Sequence, residues 1–442
     1  MKKSIDSFLP WIFAVLCVVF LSLCFYRNQL GVANNDWFMT YQDDSDLHIR
    51  GRISRTIDTG NPFSDHAMIG QYAQIDGELK YDPYFRQIGI QGIYSSFVHK
   101  ITGASLEDTV RYTRMLNSLL CALVCTVFCF WCFKEFGKIA GILSGVFFAF
   151  SPWLTVSARN LYWATWLLLL PALTMLLLLR YEHVKNKYSG TLAFFLALVT
   201  VFLRCGAGYE FVSCVLVCME LPFIYYAVKN SWSVKKFVTR AVISGVGGVA
   251  GFCAAVVVNL VQCKMLVGDF GTAVELMLEN ISKRTGAFGI EQTNELIIAS
   301  LEVSPLTVIN TYLFSGEPVL FSFTMSEIVA FFLVMLCVHI TTKKGSRAAY
   351  IASAVSFIGP LSWMVLAKGH SYIHCHINYI LWSVPTVYIM ALSGAGTLCA
   401  LLKESYNNSK TLKTKLMTLA VPVILALYII ACFYMRSNVR GW

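Results

Sequence analysis

The stretch Tyr41-Gln42-Asp43-Asp44-Ser45-Asp46-Leu47-His48-Ile49-Arg50 places three carboxylates, a histidine and an arginine just beyond the first apolar run of the chain. A solvated acidic loop is the plain explanation for such a triplet. Two features favour chemistry instead: the acids adjoin the end of an apolar segment, and His48, Arg50 and Arg52 follow within reach. An aspartate at an apolar boundary beside like charge has a raised pKa, which suits a general base for an acceptor hydroxyl or amine. Clustered carboxylates also hold divalent cations, so Asp46 and His48 are candidates to assist an acceptor or a metal such as Mg or Mn. A second set is basic. Arg159, Arg204, Lys368, His370, His374 and His376 stand near the ends of apolar runs with no local acid. Any one of them is explained by snorkelling to lipid headgroups. Together they suit a phosphate or pyrophosphate, to which arginine gives bidentate contacts. Zinc on His370, His374 and His376 would lack the helical i,i+4 spacing with a paired acid.

The elements that must position these groups are membrane helices. The chain has 442 residues, of which 57% are hydrophobic and only 14% charged. That composition points to a polytopic membrane protein. The net charge of +10 is spread over short clusters between apolar runs: Lys2/Lys3, Lys134/Lys138, Arg180/Lys185/Lys187, Lys229/Lys235/Lys236/Arg240, Lys343/Lys344/Arg347 and Lys403/Lys410/Lys413/Lys415. Alternate loops carry them, as the positive-inside rule requires, so the charge reports topology and argues against a nucleic-acid partner. The expected fold is an all-α integral membrane protein with about eleven spans, N-terminus inside and C-terminus outside. The spans fall near 8–26, 113–133, 138–152, 161–180, 190–204, 211–228, 241–263, 326–342, 348–367, 377–402 and 416–435. The first is expected to be a retained signal-anchor. Gly247-x-x-x-Gly251 reads as a small-residue packing face. Most of the fifteen cysteines lie inside apolar runs and read as small buried hydrophobes.

Residues 1–442 thus form one polytopic domain with two large outward loops, 27–112 carrying the acidic stretch and 264–325. Most of the acids fall in these loops. Phe85, Ile88, Ile93 and Phe97 suit a helix lying in the interface plane. Ser105-Leu106-Glu107-Asp108 and Thr272-Ala273-Val274-Glu275 read as capping boxes.

Asp44-Ser45-Asp46-Leu47-His48-Ile49-Arg50 resembles the aspartate-x-x-x-His-x-Arg pattern in the first external loop of oligosaccharyltransferase catalytic subunits, and Gly60-Asn61-Pro62-Phe63-Ser64-Asp65 is similar to the segment that follows it. Arg114-Met115-Leu116-Asn117, Phe136-Gly137, Phe150-Ser151-Pro152-Trp153, Ser157-Ala158-Arg159-Asn160 and His374-x-x-x-x-Tyr379 with Pro385 look more like protein O-mannosyltransferases and lipid-A aminoarabinose transferases. All belong to the GT-C superfamily of polytopic glycosyltransferases, and the resemblance covers roughly residues 1–390. It implies a GT-C type fold and a catalytic aspartate in the first external loop, Asp44 first and Asp43 second. Arg159, Arg204 and Lys368 to His376 would hold the donor phosphate. Two departures stand out. Asn160-Leu161-Tyr162-Trp163 replaces the acid that many relatives carry after the arginine, and no soluble C-terminal domain with a Trp-Trp-Asp motif precedes Trp442. The second departure argues against asparagine-sequon glycosylation.

The resulting expectation is a glycosyltransferase that moves a sugar from a polyprenyl-phosphate-type lipid-linked donor, with inversion, to a lipid, polysaccharide or protein acceptor. It would work on the extracytoplasmic face of a bacterial plasma membrane, or the lumenal face of an ER-like one. A lipid-linked oligosaccharide flippase and an O-antigen-type ligase or polymerase are the other readings. A transporter should show broken or charged mid-membrane helices in repeated halves. A ligase should concentrate arginines and a histidine in a late external loop.

Overall fold

A computed structural model describes residues 2–66, 68–285, 294–409 and 411–440. The first apolar run is α1 (Lys2–Arg27). The first large loop holds α2 (Asn35–Thr40), α3 (Asp43–Thr59), a hairpin of β1 (Gly70–Ile75) and β2 (Glu78–Pro83), and α4 (Ile90–Thr102). There follow α5 (Leu106–Phe136), α6 (Lys138–Ala149), α7 (Pro152–Ala158), α8 (Trp166–Lys185), α9 (Gly190–Gly206), α10 (Val212–Lys229) and α11 (Val234–Val267). The second loop holds α12 (Phe270–Thr285), α13 (Glu295–Glu302), α14 (Pro305–Phe314) and the short pair β3 (Pro318–Leu320) and β4 (Phe323–Thr324). The rest comprises α15 (Met325–Thr342), α16 (Arg347–Ser356), α17 (Ile358–Leu366), α18 (Lys368–Ile373), α19 (Cys375–Asn378), α20 (Thr386–Asn408) and α21 (Leu412–Arg440).

Among the described residues, 9 helices are long and apolar enough to cross a membrane. The architecture is that of an all-α, multi-pass membrane protein. The lipid-facing sides of α1, α11 and α21 expose valines, leucines and isoleucines such as Val15, Val246 and Ile424, a pattern that only a hydrocarbon solvent tolerates. Two expected spans take a different form. The 138–152 span divides into α6 and α7, bent by 69° at Phe150-Ser151, because Pro152 disfavours a helical residue before it. The 377–402 span begins as a helix only at Thr386, after a 3-10 turn (Tyr379–Ser383) and Pro385. A second broken pair, α13 and α14, bends by 92° before Pro305 inside the second loop.

Small residues set the closest approaches. Cβ atoms at Gly247 and Gly251 would lie 2.4 and 2.3 Å from the Phe194 and Leu198 carbonyls of α9, so the expected packing face of α11 meets the α9 backbone. In the first loop, a Cβ at Gly51 would lie 2.3 Å from the Gly70 carbonyl and 2.6 Å from Gln71 Cα. Both obstacles are backbone, so α3 cannot keep its seat on β1 with a larger residue. Gly51→Ala should destabilise the protein by about 1–3 kcal/mol, seen as a fall in the thermal unfolding midpoint in detergent. An unchanged midpoint would show that α3 does not rest on the hairpin.

The loop capping is partly as expected. Ser105 Oγ accepts from Asp108 N at 3.2 Å and starts α5. In the second loop the cap is Asp269, whose Oδ2 accepts from Thr272 N at 2.7 Å, so Thr272 sits inside α12 instead of capping it. At the other end of the bundle, buried Glu135 accepts from Arg180 Nη1 at 2.6 Å and Tyr225 Oη at 2.7 Å and pairs with Lys229. This joins α5, α8 and α10 where the basic clusters gather.

Candidate active site

The chain turns out of α2 at Gln42, whose φ of 58° is left-handed, and enters α3 directly at Asp43. Asp43, Asp44 and Asp46 fill the first helical turn, where carboxylates complement the positive end of the helix dipole. The three acids then separate. Asp46 is only 1% exposed. Its Oδ1 accepts from the backbone N–H groups of Leu161 and Tyr162, both at 3.1 Å, and its Oδ2 accepts from Arg114 Nη2 at 3.0 Å. Burial pushes its carboxyl up to about 6, against the opposing pull of Arg114 and the two amides. Asp46 therefore fastens α3 to α5 and to the loop between α7 and α8. Its oxygens are engaged, and it does not face an acceptor or a metal. Asp43 is exposed and lies 3.4 Å from Arg114 Nη2. Asp44 is exposed as well; its Oδ1 accepts from Ser45 N at 2.8 Å, and it forms no ion pair among the described residues.

One helical turn on, His48 packs its ring 4.3 Å from Tyr84 and 6.3 Å from Tyr162. Burial lowers its pKa, with Asp82 and Asp44 opposing and Arg86 adding to the fall. The neighbouring basic residues point elsewhere. Arg50 pairs with Glu107, and buried Arg52 donates to the carbonyls of Ser64 at 2.9 Å and Asn61 at 3.2 Å. Arg55 grips Asp65 with two 2.8 Å bonds and so fixes the 60–65 segment.

Across from α3 lies a group that the sequence did not single out. Glu210 Oε1 accepts from Arg284 Nη2 of α12 at 3.1 Å, and Glu210 O accepts from Arg204 Nη2 at 2.8 Å. Gly208, at φ 148°, permits this: a Cβ there would lie 2.5 Å from Glu210 Oε2 and 2.7 Å from Gln87 Oε1. His370 on α18 and His374 at the α18–α19 junction follow, their rings 4.7 Å apart, with His376 5.7 Å from His374. Burial is the main cause of the depressed pKa of His374; His376 and Arg284 add to it, while Glu210 and Asp44 oppose it. The charge of Asp44 is thus felt at both His48 and His374.

The basic residues expected at a donor phosphate divide into two groups. Arg159 is 7% exposed, stacks 4.3 Å over Phe38, reaches Met39 Sδ at 3.5 Å, and forms no ion pair among the described residues. It lies on the Asp43–Arg114 side. Arg204, 1% exposed, keeps Nε and Nη1 buried without a hydrogen-bond partner among the described residues. So do Gln87 Nε2 and His374 Nδ1. Lys368 is committed to the Val303 carbonyl at 3.1 Å, and the His370 ring meets Asn378 Nδ2 at 3.3 Å. Among the described residues no group of three or more His, Cys, Asp or Glu is placed to hold a metal ion. With Asp46 turned inward and Asp43 toward Arg114, the acidic triplet does not fit an Mg or Mn ion, and the His370/His374/His376 trio does not form a zinc set. Neither protein-family models nor curated proteins give a match for the chain.

Burial also holds His370 well below its usual value of about 6.5, with His374, Arg284 and His376 adding to the fall. A histidine depressed on folding contributes stability above its unfolded pKa and loses it as pH falls from about 6.5 toward the folded value. Asp46, raised on folding, has the opposite sign: its ionisation costs stability as pH rises from about 4 to 6. The histidine effect is therefore read as a difference. The thermal midpoint should fall more steeply between pH 7 and 5.5 in the native protein than in His370→Phe; parallel curves would show that His370 is not held neutral.

Proposed function

We propose that the protein is an integral-membrane, inverting glycosyltransferase of GT-C type, with Asp44 as the base and a polyprenyl-phosphate-linked sugar as donor. The reading rests on one observation. Of the three acids in the first turn of α3, Asp44 alone is both exposed and without an ion pair among the described residues, and its charge opposes the fall in pKa of His48 and His374. In a single displacement, Asp44 takes the proton of the acceptor hydroxyl as its oxygen bonds to the anomeric carbon. The bond to the carrier phosphate breaks, and the phosphate leaves with the electron pair. Arg159 and Arg204, buried with unused donor capacity, are the groups suited to stabilise that leaving charge. Asp46 and Arg114 position α3. The basic clusters at the other end of the bundle support an extracytoplasmic active face by the positive-inside rule, in a plasma membrane of bacterial type.

The broken pairs α6–α7 and α13–α14 favour a second reading, since discontinuous helices line substrate paths in transporters. One experiment separates the two. Purified protein is supplied with a panel of radiolabelled polyprenyl-phosphate sugars and a crude acceptor extract, with and without EDTA, beside Asp44→Asn. Donor consumed by the native protein and spared by Asp44→Asn supports transfer. Donor moved unchanged across proteoliposomes, with none consumed, supports transport.

A further inference from the structure

Glu220 is the ninth of the 18 residues of α10, with about 12–14 Å of helix on either side of it. In a hydrocarbon core of roughly 30 Å, that is the middle of the membrane. Small residues of α11 bring the two helices together there. A Cβ at Gly248 would lie 2.8 Å from both Leu216 Cδ2 and Met219 Cε, and one at Gly245 would lie 3.9 Å from Glu220 Oε1. The carboxyl therefore rests against α11 beside Ser244, which acts on it and is itself fully buried. Among the described residues, both Glu220 oxygens and Ser244 Oγ are buried without a hydrogen-bond partner, and so is Tyr188 Oη in the loop before α9. Tyr188 lies near enough for Glu220 to bear on its ionisation.

The charges around α10 are matched elsewhere. On α8 and α11, Glu182 accepts from Arg240 through two 2.7 Å bonds. Arg180 and Lys229 pair with Glu135. On α9, Arg204 donates to the Glu210 carbonyl, and on α16 Arg347 is exposed at the first residue. Helix α17 carries no charged residue, and the Cys218 thiol donates to the Val384 carbonyl at 2.7 Å. Glu220 forms no ion pair among the described residues. A carboxylate stripped of water with no counter-ion is far costlier than the neutral acid. The acid has one O–H to donate and a carbonyl to accept, and a serine hydroxyl can do both in return. One proton thus satisfies oxygens that would otherwise stand unpaired. Acids at this depth are where membrane proteins bind and relay protons. We infer that Glu220 and Ser244 form an intramembrane proton-binding site, with Tyr188 on its side toward the basic end. The site is separate from Asp44 and holds its proton whether or not Asp44 takes part in sugar transfer.

The test is infrared spectroscopy of the purified chain in lipid at pH 7, as the difference between native protein and Glu220→Gln. The native spectrum should contain the carbonyl stretch of a protonated carboxylic acid, and Glu220→Gln should lose it. Ser244→Ala should move that band to higher frequency, because the acid loses its hydrogen-bond partner. A carboxylate band lost in place of the acid band, or a band that Ser244→Ala leaves unmoved, overturns the inference. Should Glu220→Gln fail to fold, judged by its thermal midpoint, labelling of the native chain decides. Dicyclohexylcarbodiimide, an apolar reagent, takes the proton of a neutral carboxyl onto one nitrogen while the carboxyl oxygen bonds to its central carbon. The acyl group then shifts to nitrogen and leaves a stable N-acylurea that keeps every atom of both reactants. Mass spectrometry should find this adduct on Glu220. An unlabelled Glu220 overturns the inference, and so does protection by sodium chloride but not choline chloride, which would assign the oxygens to a metal cation.

Discussion

Asp44→Asn should lower the rate of donor consumption by about 10²–10⁴-fold, the usual contribution of a positioned general base. The amide keeps an oxygen to accept from Ser45 N and changes neither size nor exposure, so the thermal midpoint should stay put. Asp43→Asn is the control. It gives up only a 3.4 Å contact between an exposed carboxylate and Arg114, a kind of pair worth about 0–1 kcal/mol. Its rate should stay within about threefold of native, a change of less than 1 kcal/mol in the barrier. If Asp43→Asn proves the inactive variant while Asp44→Asn turns over normally, the base is Asp43. If both retain full activity, neither acid is the base.

The division among these acids shows where sequence reasoning reaches and where it stops. Apolar runs located the membrane helices, because a bilayer leaves the backbone little choice but to bond to itself. The helix that sets Asp44 and His48 one turn apart was not expected within the outward loop. The ranking of Asp44 before Asp43, with Asp46 as an assistant to acceptor or metal, came from the resemblance and not from any local difference among the three. What distinguishes Asp46 is the pair of amides at Leu161 and Tyr162, more than a hundred residues away, and an arginine in α5. No local pattern reports such contacts. Glu210 and Arg284 escaped notice for the same reason: their pairing spans 74 residues of chain, and neither carries a local pattern that reports it. The β1–β2 hairpin is a different kind of miss. Asp76-Gly77, with φ values of 54° and 80°, is a strong short-range hairpin signal inside the outward loop 27–112, where no strand was expected. Expected helix ends failed where a proline or a competing cap intervened, as at Pro152, Pro385 and Asp269.

Arg114→Met should be the most destabilising single change at the site. The Asp46 side chain is 2% exposed and that of Arg114 19%, so the substitution leaves a buried carboxylate with two amide donors and no counter-ion. Breaking such a pair from one side costs about 3–5 kcal/mol. The cost has an outlet, because the Asp46 carboxyl already titrates at about 6 with the arginine present. Without it the folded pKa rises further, and Asp46 stays protonated to higher pH. Between the unfolded value of about 3.9 and that raised value, the folded state holds a proton that the unfolded state has released. Stability therefore falls as pH rises through the window. The gap in thermal midpoint between Arg114→Met and the native protein should be widest at pH 8 and should narrow by pH 5.5. Asp46→Asn placed on Arg114→Met removes the stranded charge and should recover part of the loss at pH 8, with little gain at pH 5.5. A gap that does not vary with pH, or no recovery in the double variant, would mean that Arg114 supports α3 by packing and not by charge. Activity should follow a different logic from Asp44→Asn. Once α3 loses its tie to α5, Asp44 is intact but misplaced, and a displacement of about 1 Å is enough to cost a hundredfold in rate. Arg114→Met should lose both stability and turnover, whereas Asp44→Asn should lose turnover alone, and that contrast separates the group that positions the helix from the one that takes the proton.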